Sequence, residues 1–180
     1  TGADNVAMGY NCLGNNTGAS NTAIGTRALQ SNTTASNNTS VGYQAGLANT
    51  TGYNNLFAGV SAGDSNTTGA LNALSGSFSG ATNTTGSYNT AYGAESLYSN
   101  TTASNNTALG YQALFDNTTG DDMVAVGFQA LANNTTGQDN NAVGIHSLLT
   151  NTTGNYNDAF GVTALRQNTT GSNNVAVGRQ

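Results

Sequence analysis

Apolar residues in this chain occur in short segments, Thr107-Ala108-Leu109 and Ala113-Leu114 being typical, set apart by glycines and asparagines. Segments of two to four residues suit short strands and exclude amphipathic helices. They also recur at a fixed spacing. One glycine returns at Gly25, Gly42, Gly59, Gly76, Gly93, Gly110, Gly127, Gly144, Gly161 and Gly178, always 17 residues on, and Gly9 precedes Gly25 by 16. Helical-hairpin repeats need about 33–47 residues, so this unit is not one of them.

Each unit is numbered from the asparagine four places before that glycine. Position 1 is then Asn5, Asn21, Asn38, Asn55, Asn72, Asn89, Asn106, Asn140, Asn157 and Asn174, with Met123 the exception. Position 3 is small, nearly always Ala, and position 4 is mostly bulky, as in Ile24, Tyr92, Leu109 and Phe160. Position 8 is Ala, Ser or Cys12. Position 9 is Leu in Leu13, Leu29, Leu97, Leu114, Leu131, Leu148 and Leu165. Positions 12 to 15 read Asn-Thr-Thr-Gly in most units, for example Asn117 to Gly120.

This pattern predicts an all-β fold, a parallel β-solenoid (a β-roll or β-helix) with one 17-residue repeat per coil and about ten and a half coils. Residues 1–180 then form a single repeat array, read as a segment of a longer fibre. Two short strands per coil are expected, at positions 2–4 and 8–9, with Asn-Thr-Thr-Gly as a type I turn. The glycine at position 5 sits where the chain must bend sharply or take φ > 0. One unit cannot bury its own apolar face, but coils stacked about 4.8 Å apart can. Identical residues would then lie over one another, so Asn32, Asn49, Asn66, Asn83, Asn100, Asn117, Asn134, Asn151 and Asn168 form an amide ladder along the axis. Either position 3 or position 4 faces inward. One apolar column is left outside, longer than a soluble monomer usually exposes, which predicts self-association as a homotrimer or an end-to-end filament. Units three to five depart from the pattern: position 9 becomes Gly46, Gly63 and Gly80, and in units four and five the bulky residue moves back by one, to Phe57 and Leu74.

Composition sharpens this picture. Leu, Ile, Val and Phe supply only 29 of 180 residues, but the charged fraction is 6% and the repetition is strict, so order is expected rather than disorder. Arg27, Arg166 and Arg179 are the cations, against a net charge of −5, which argues against nucleic-acid binding. No apolar run reaches the ~20 residues of a membrane-spanning helix, and the single Cys12 cannot form an intramolecular disulfide.

The string Asn-x-Ala-Val/Ile-Gly-x-x-Ala/Ser, at Asn21 to Ala28 and Asn140 to Ser147, resembles the head repeats of trimeric autotransporter adhesins. The full unit, as in NTALGYQALFDNTTG, is similar to repeats of phage tail-fibre and bacterial surface-fibre proteins. The adhesin unit is shorter and lacks the Asn-Thr-Thr insertion. What the resemblance implies is a left-handed coil, a trimer and a place on a cell or virion surface.

Candidate chemistry is sparse. His146, the one histidine, shares position 7 with Arg27, Gln44, Glu95, Gln112 and Gln129, which reads as a solvent-facing column. Glu95, the one glutamate, has no carboxylate partner for acid–base work, and no Ser-His-Asp arrangement can be drawn. Asp121, Asp122 and Asp139 read as solvated turn residues rather than calcium ligands, and Cys12 as a packed thiol. No enzyme activity, cofactor or metal is expected. The Asn-Thr-Thr triplets match the N-glycosylation acceptor pattern, which marks Asn32, Asn49, Asn117 and Asn151 as candidate acceptors. The expected function is a structural or adhesive segment of an extracellular fibre. The alternatives are a module binding a host-surface glycan or receptor through aromatics such as Tyr43, Tyr111 and Phe128, an ice-binding threonine array, and a glycosylated scaffold.

Overall fold

The computed structural model describes residues 2–179, so Thr1 and Gln180, the two ends of the array as read from the sequence, lie outside it. The chain winds as a parallel β-solenoid of about ten turns. Each coil contributes one three-residue strand: β1 (Val6–Met8), β2 (Thr22–Ile24), β3 (Thr39–Val41), β4 (Leu56–Ala58), β5 (Ala73–Ser75), β6 (Thr90–Tyr92), β7 (Thr107–Leu109), β8 (Val124–Val126), β9 (Asn141–Val143), β10 (Asp158–Phe160) and β11 (Val175–Val177). All eleven form a single parallel sheet in chain order. The register is one repeat: Ala108 lies opposite Ala91 and Ala125, and Leu109 opposite Tyr92 and Val126. At about 4.8 Å per step, ten steps make a rod of roughly 50 Å.

The strand ends at the position-5 glycine because that residue leaves the β region. Gly110 has φ +134°, and its N–H donates to Tyr92 O of the preceding coil at 2.9 Å. A tight turn follows, closed by Ala113 N–H on Gly110 O (3.3 Å), with Gln112 at φ +53° in its third place. Positive φ at that place is the mark of a type II turn.

Two local expectations are corrected here. The Ala-Leu pair at positions 8 and 9 is not a second strand. Leu114 sits in the left-handed region at φ +54° and opens a further turn, closed by Asn117 N–H on Leu114 O (3.3 Å). Nor is Asn117 to Gly120 a turn closed backbone to backbone. The Asn117 amide closes it instead, donating to Gly120 O (3.0 Å) and accepting from Gly120 N–H (3.2 Å). A side chain can shape this bend because asparagine mimics a peptide unit.

The core is a thin column. Position 3 points inward and is fully buried in Ala23, Ala91, Ala108, Ala125, Ala142 and Ala159, packed against the alanines of position 8 and the leucines of position 9. Position 4 points outward. The interior is too narrow for two bulky columns, so the smaller residue goes in. Coils four and five follow the same volume rule with the sizes exchanged. Phe57 and Leu74 stand at position 3, both fully buried, and the glycines of position 9 make room for them. A Cβ added at Gly46 would stand 2.5 Å from Phe57 Cδ2, and one at Gly80 2.6 Å from Leu74 Cδ1. Volume-conserving exchanges of this kind are the sort a close-packed core tolerates.

Candidate functional site

Four columns of polar side chains run parallel to the axis. In the position-12 column each asparagine donates to the one a coil before it: Asn49 to Asn32 (3.0 Å), Asn66 to Asn49 (2.8 Å), Asn83 to Asn66 (2.7 Å), Asn100 to Asn83 (2.7 Å), and so on through Asn117, Asn134, Asn151 and Asn168. The same nitrogen donates to the position-15 carbonyl three residues ahead. Position-1 asparagines use their oxygen to accept the next coil's backbone N–H, as Asn89 does from Asn106 (3.1 Å), and their nitrogen to reach a position-15 carbonyl, as Asn106 does at Gly120 (3.0 Å). The third column is Thr at position 13, whose hydroxyls donate to the next coil's carbonyl, Thr118 to Thr135 O at 2.9 Å. The fourth, at position 16, was not recognised in the sequence: Ser87, Ser104, Asp121, Asn155 and Ser172 accept a backbone N–H from the preceding coil. Its mixture of Ser, Asp and Asn hid it, although all three offer a short oxygen acceptor.

These bonds decide what the threonines and asparagines can do. Asn32, Asn49, Asn117 and Asn151 are completely buried, with their nitrogens donating both to a neighbouring amide and to a carbonyl. The folded coil therefore presents no nitrogen to a sugar at these four positions. Position-14 threonines, Thr119 among them, are exposed along the whole rod. They form one column of outward threonines, since the hydroxyls of position 13 are engaged.

Met123 interrupts the position-1 column. Its N–H still donates to Asn106 Oδ1 (3.1 Å), and its sulfur faces Asn134 Nδ2 at 3.4 Å. A thioether cannot offer the oxygen that would take Asn140 N–H, nor a donor for Gly137 O. Met123→Asn supplies both. Two buried bonds at about 1 kcal/mol each, less the lost burial of the thioether chain, leave a gain of about 1 kcal/mol. A rise in the urea midpoint is the expected result, and a fall would mean that packing outweighs the ladder at this coil.

The ten turn glycines, Gly25 through Gly178, each hold a positive φ between +127° and +142°. They lie over one another at the end of the sheet, and their role there is conformational.

The outer surface carries the remaining chemistry. Positions 4 and 6 flank the glycine column and expose apolar groups in the coils on either side of coil five, where Ser75 and Ser77 stand instead, including Met8, Tyr10, Val41, Tyr43, Tyr92, Leu109, Tyr111, Phe128, Ile145, Phe160 and Val162. Tyr10 and Tyr92 are 77% and 66% exposed, values at which a tyrosine ring is mostly in water. Position 7 is half-buried rather than freely solvated over coils six to nine. There Glu95, Gln112, Gln129 and His146 form a continuous chain: Gln112 Nε2 to Glu95 Oε2 (2.7 Å), Gln129 Nε2 to Gln112 Oε1 (2.7 Å), His146 Nε2 against Gln129 Oε1 (3.1 Å). An ionised carboxylate only accepts, so Glu95 sets the direction of every donor behind it and calls for hydrogen on His146 Nε2. Among the described residues no three His, Cys, Asp or Glu side chains gather as metal ligands.

Burial raises the pKa of Asp64 above 3.8, partly offset by hydrogen bonds from Ser65 and Ser61, and burial also raises that of Asp116. Both carboxyls thus hold protons more tightly folded than unfolded. Their contribution to stability is fully present below the unfolded value and is lost as pH rises through the folded one. The urea midpoint should therefore rise as pH falls from neutrality toward 3.8. Asp64→Asn combined with Asp116→Asn should flatten that rise; an unchanged slope would assign it to the net charge alone.

Comparison with protein-family models, with characterised proteins and with solved structures gives no match.

Proposed function

We propose that this chain is a non-catalytic structural segment of an extracellular fibre, a rigid shaft that associates with copies of itself, with three chains round one axis as the favoured arrangement. The observation that carries the reading is the apolar stripe of positions 4 and 6, which runs from Met8 to Val177 without a charge and is broken by polar residues at both positions only in coil five, at Ser75 and Ser77. An exposed apolar surface of that extent is characteristic of an interface. A second copy matches it better than an unrelated protein, because its own stripe repeats at the same axial step and every coil meets a coil. The fold adds support, since a ladder of identical coils supplies length and stiffness.

Sedimentation equilibrium and electron micrographs of the purified chain test this. A rod of defined oligomeric state is expected, and Val126→Asp with Phe128→Asp should release monomers that keep the β circular dichroism signal. A wild-type chain that stays monomeric as its concentration is raised would overturn the proposal.

A further inference from the structure

The columns that build the rod run its whole length, but one constellation does not. Aromatic residues occur at position 10 in two coils only, as Tyr98 and Phe115, stacked with centroids 5.2 Å apart and planes 14° from parallel. Ala81 and Ala132 hold the same position in the coils on either side, both buried, so no large side chain of that column covers the outer faces of the pair. Over the Tyr98 side lies a hollow of about 260 Å³, lined by Phe78, Glu95, Tyr98 and Phe115. Phe78 is exposed, which is unusual for phenylalanine at a polar position of the repeat. Other hollows lie against the first and last coils; this one has stacked coils on both sides.

A scaffold column should repeat wherever the coil repeats. This one is confined to coils five to seven, and its members are of two complementary kinds: flat apolar rings and a carboxylate. Glu95 Oε2 is held by Gln112, and its second carboxylate oxygen has the capacity to accept from a further donor. The amide chain that starts there continues along the axis through Gln129 to His146, beside the second ring pair, Tyr111 and Phe128, stacked at 5.6 Å. Aromatic faces beside a rail of hydrogen-bonding groups match a molecule with apolar ring faces and hydroxyls on its rim. No cation stands in coils five to nine, so the Glu95 charge disfavours an anionic ligand.

We infer that the hollow bounded by Phe78, Glu95, Tyr98 and Phe115 is a binding site for one pyranose ring of a neutral glycan, with the neighbouring sugars laid along Gln112 and Gln129. The inference rests on the fibre reading only in that a surface shaft meets surface glycans. The coil step of about 4.8 Å is close to the length of one sugar residue, so successive rings can meet successive coils.

The test is nuclear magnetic resonance titration of the isotope-labelled chain with cellotetraose, lactose and mannotriose, and with tetragalacturonate as the anionic probe. At least one neutral sugar should shift the resonances of Glu95, Tyr98 and Phe115, while tetragalacturonate leaves them in place. Tyr98→Ala should weaken that binding roughly tenfold or more, from the lost stacking and apolar contact, and Glu95→Gln should admit the anionic sugar. Thr119→Ala, on another face, should change nothing. Shifts with none of the neutral sugars, or binding indifferent to Tyr98→Ala in a chain with wild-type circular dichroism, would overturn the site. Sedimentation of the same samples reports separately on the fibre: assembly without sugar binding removes the site and leaves the shaft.

Discussion

Gly110→Ala is expected to destabilise the chain by about 3–5 kcal/mol, a large share of the ~5–15 kcal/mol that holds a domain together. Two causes add. At φ +134° an L-residue is in a region populated essentially by glycine, costing about 1–3 kcal/mol. The new Cβ would also stand 2.5 Å from Gly127 O and 2.8 Å from Gly127 C. Those are backbone atoms of the next coil, fixed by Gly127 N–H on Leu109 O at 2.8 Å, so relief means parting two coils. Overpacking of that kind costs about 1–3 kcal/mol. Gly178→Ala separates the terms, because its φ is +127° while an added Cβ there meets nothing within 4 Å. It should cost the conformational part alone and fray the last coil. Position 15 supplies the opposite comparison. Gly86 approaches Ala103 O at 2.2 Å from an added Cβ, yet φ there is not positive and Ala103 itself occupies that column. A Cβ in the position-15 column is therefore accommodated by a local shift, whereas at Gly110 the positive φ adds a cost that no shift of the neighbouring coil removes. Urea denaturation followed by circular dichroism measures all of this, and a Gly110→Ala midpoint within about 1 kcal/mol of wild type would refute it.

Much of this fold was legible because each scaffold column admits so few residue types. A glycine and an asparagine that return every 17 residues define the coil, its register and its parallel sheet together. The face of the strand was not legible from position 3 and position 4 in a single unit, since alanine inside and valine outside reverses the usual burial pattern. The clue lay across units: where Phe57 and Leu74 enter position 3, the leucine of position 9 is lost from Gly46 to Gly80. Two columns that exchange volume share one interior. The same glycines mark position 9 as a place of positive φ, contrary to the strand assigned there. Leucine at φ near +50° is costly, on the order of 1–2 kcal/mol, and nothing in a leucine announces it. Backbone bonds between coils hold it, such as Leu114 N–H on Ala130 O at 3.1 Å. The candidate sugar site was less legible still. Tyr43, Tyr111 and Phe128 pointed to the right kind of chemistry, but the hollow is built from Phe78, Glu95, Tyr98 and Phe115. Only stacking brings positions 7 and 10 of neighbouring coils together.

Asn117→Ala should cost about 3–5 kcal/mol, and Asn117→Asp more than that at neutral pH. The amide makes four hydrogen bonds while fully buried: it donates to Asn100 Oδ1 (3.4 Å) and Gly120 O (3.0 Å), and accepts from Asn134 Nδ2 (3.0 Å) and Gly120 N–H (3.2 Å). Alanine leaves Asn100 Oδ1 and Gly120 N–H without partners from this side chain. Each buried orphan costs about 1–3 kcal/mol, and the small cavity adds to it. Gly120 O retains Asn106 Nδ2, which limits the loss. Aspartate has nearly the same shape, so packing survives and only the hydrogens differ. As a carboxylate it still accepts from Asn134 and Gly120 N–H, but turns a negative oxygen toward Asn100 Oδ1 and Gly120 O, with no cation near. Two acceptors facing each other in a buried ladder are worse than a gap. Protonation restores one donor, so Asn117→Asp should regain stability relative to the parent as pH falls through its raised carboxyl pKa, while the deficit of Asn117→Ala relative to the parent stays constant. The exposed neighbour Thr119→Ala is the control and should stay within about 0.5 kcal/mol of wild type. If Asn117→Asp is instead as stable as the parent at neutral pH, the direction of donation along the ladder is not what keeps asparagine there, and the column reduces to a shape requirement.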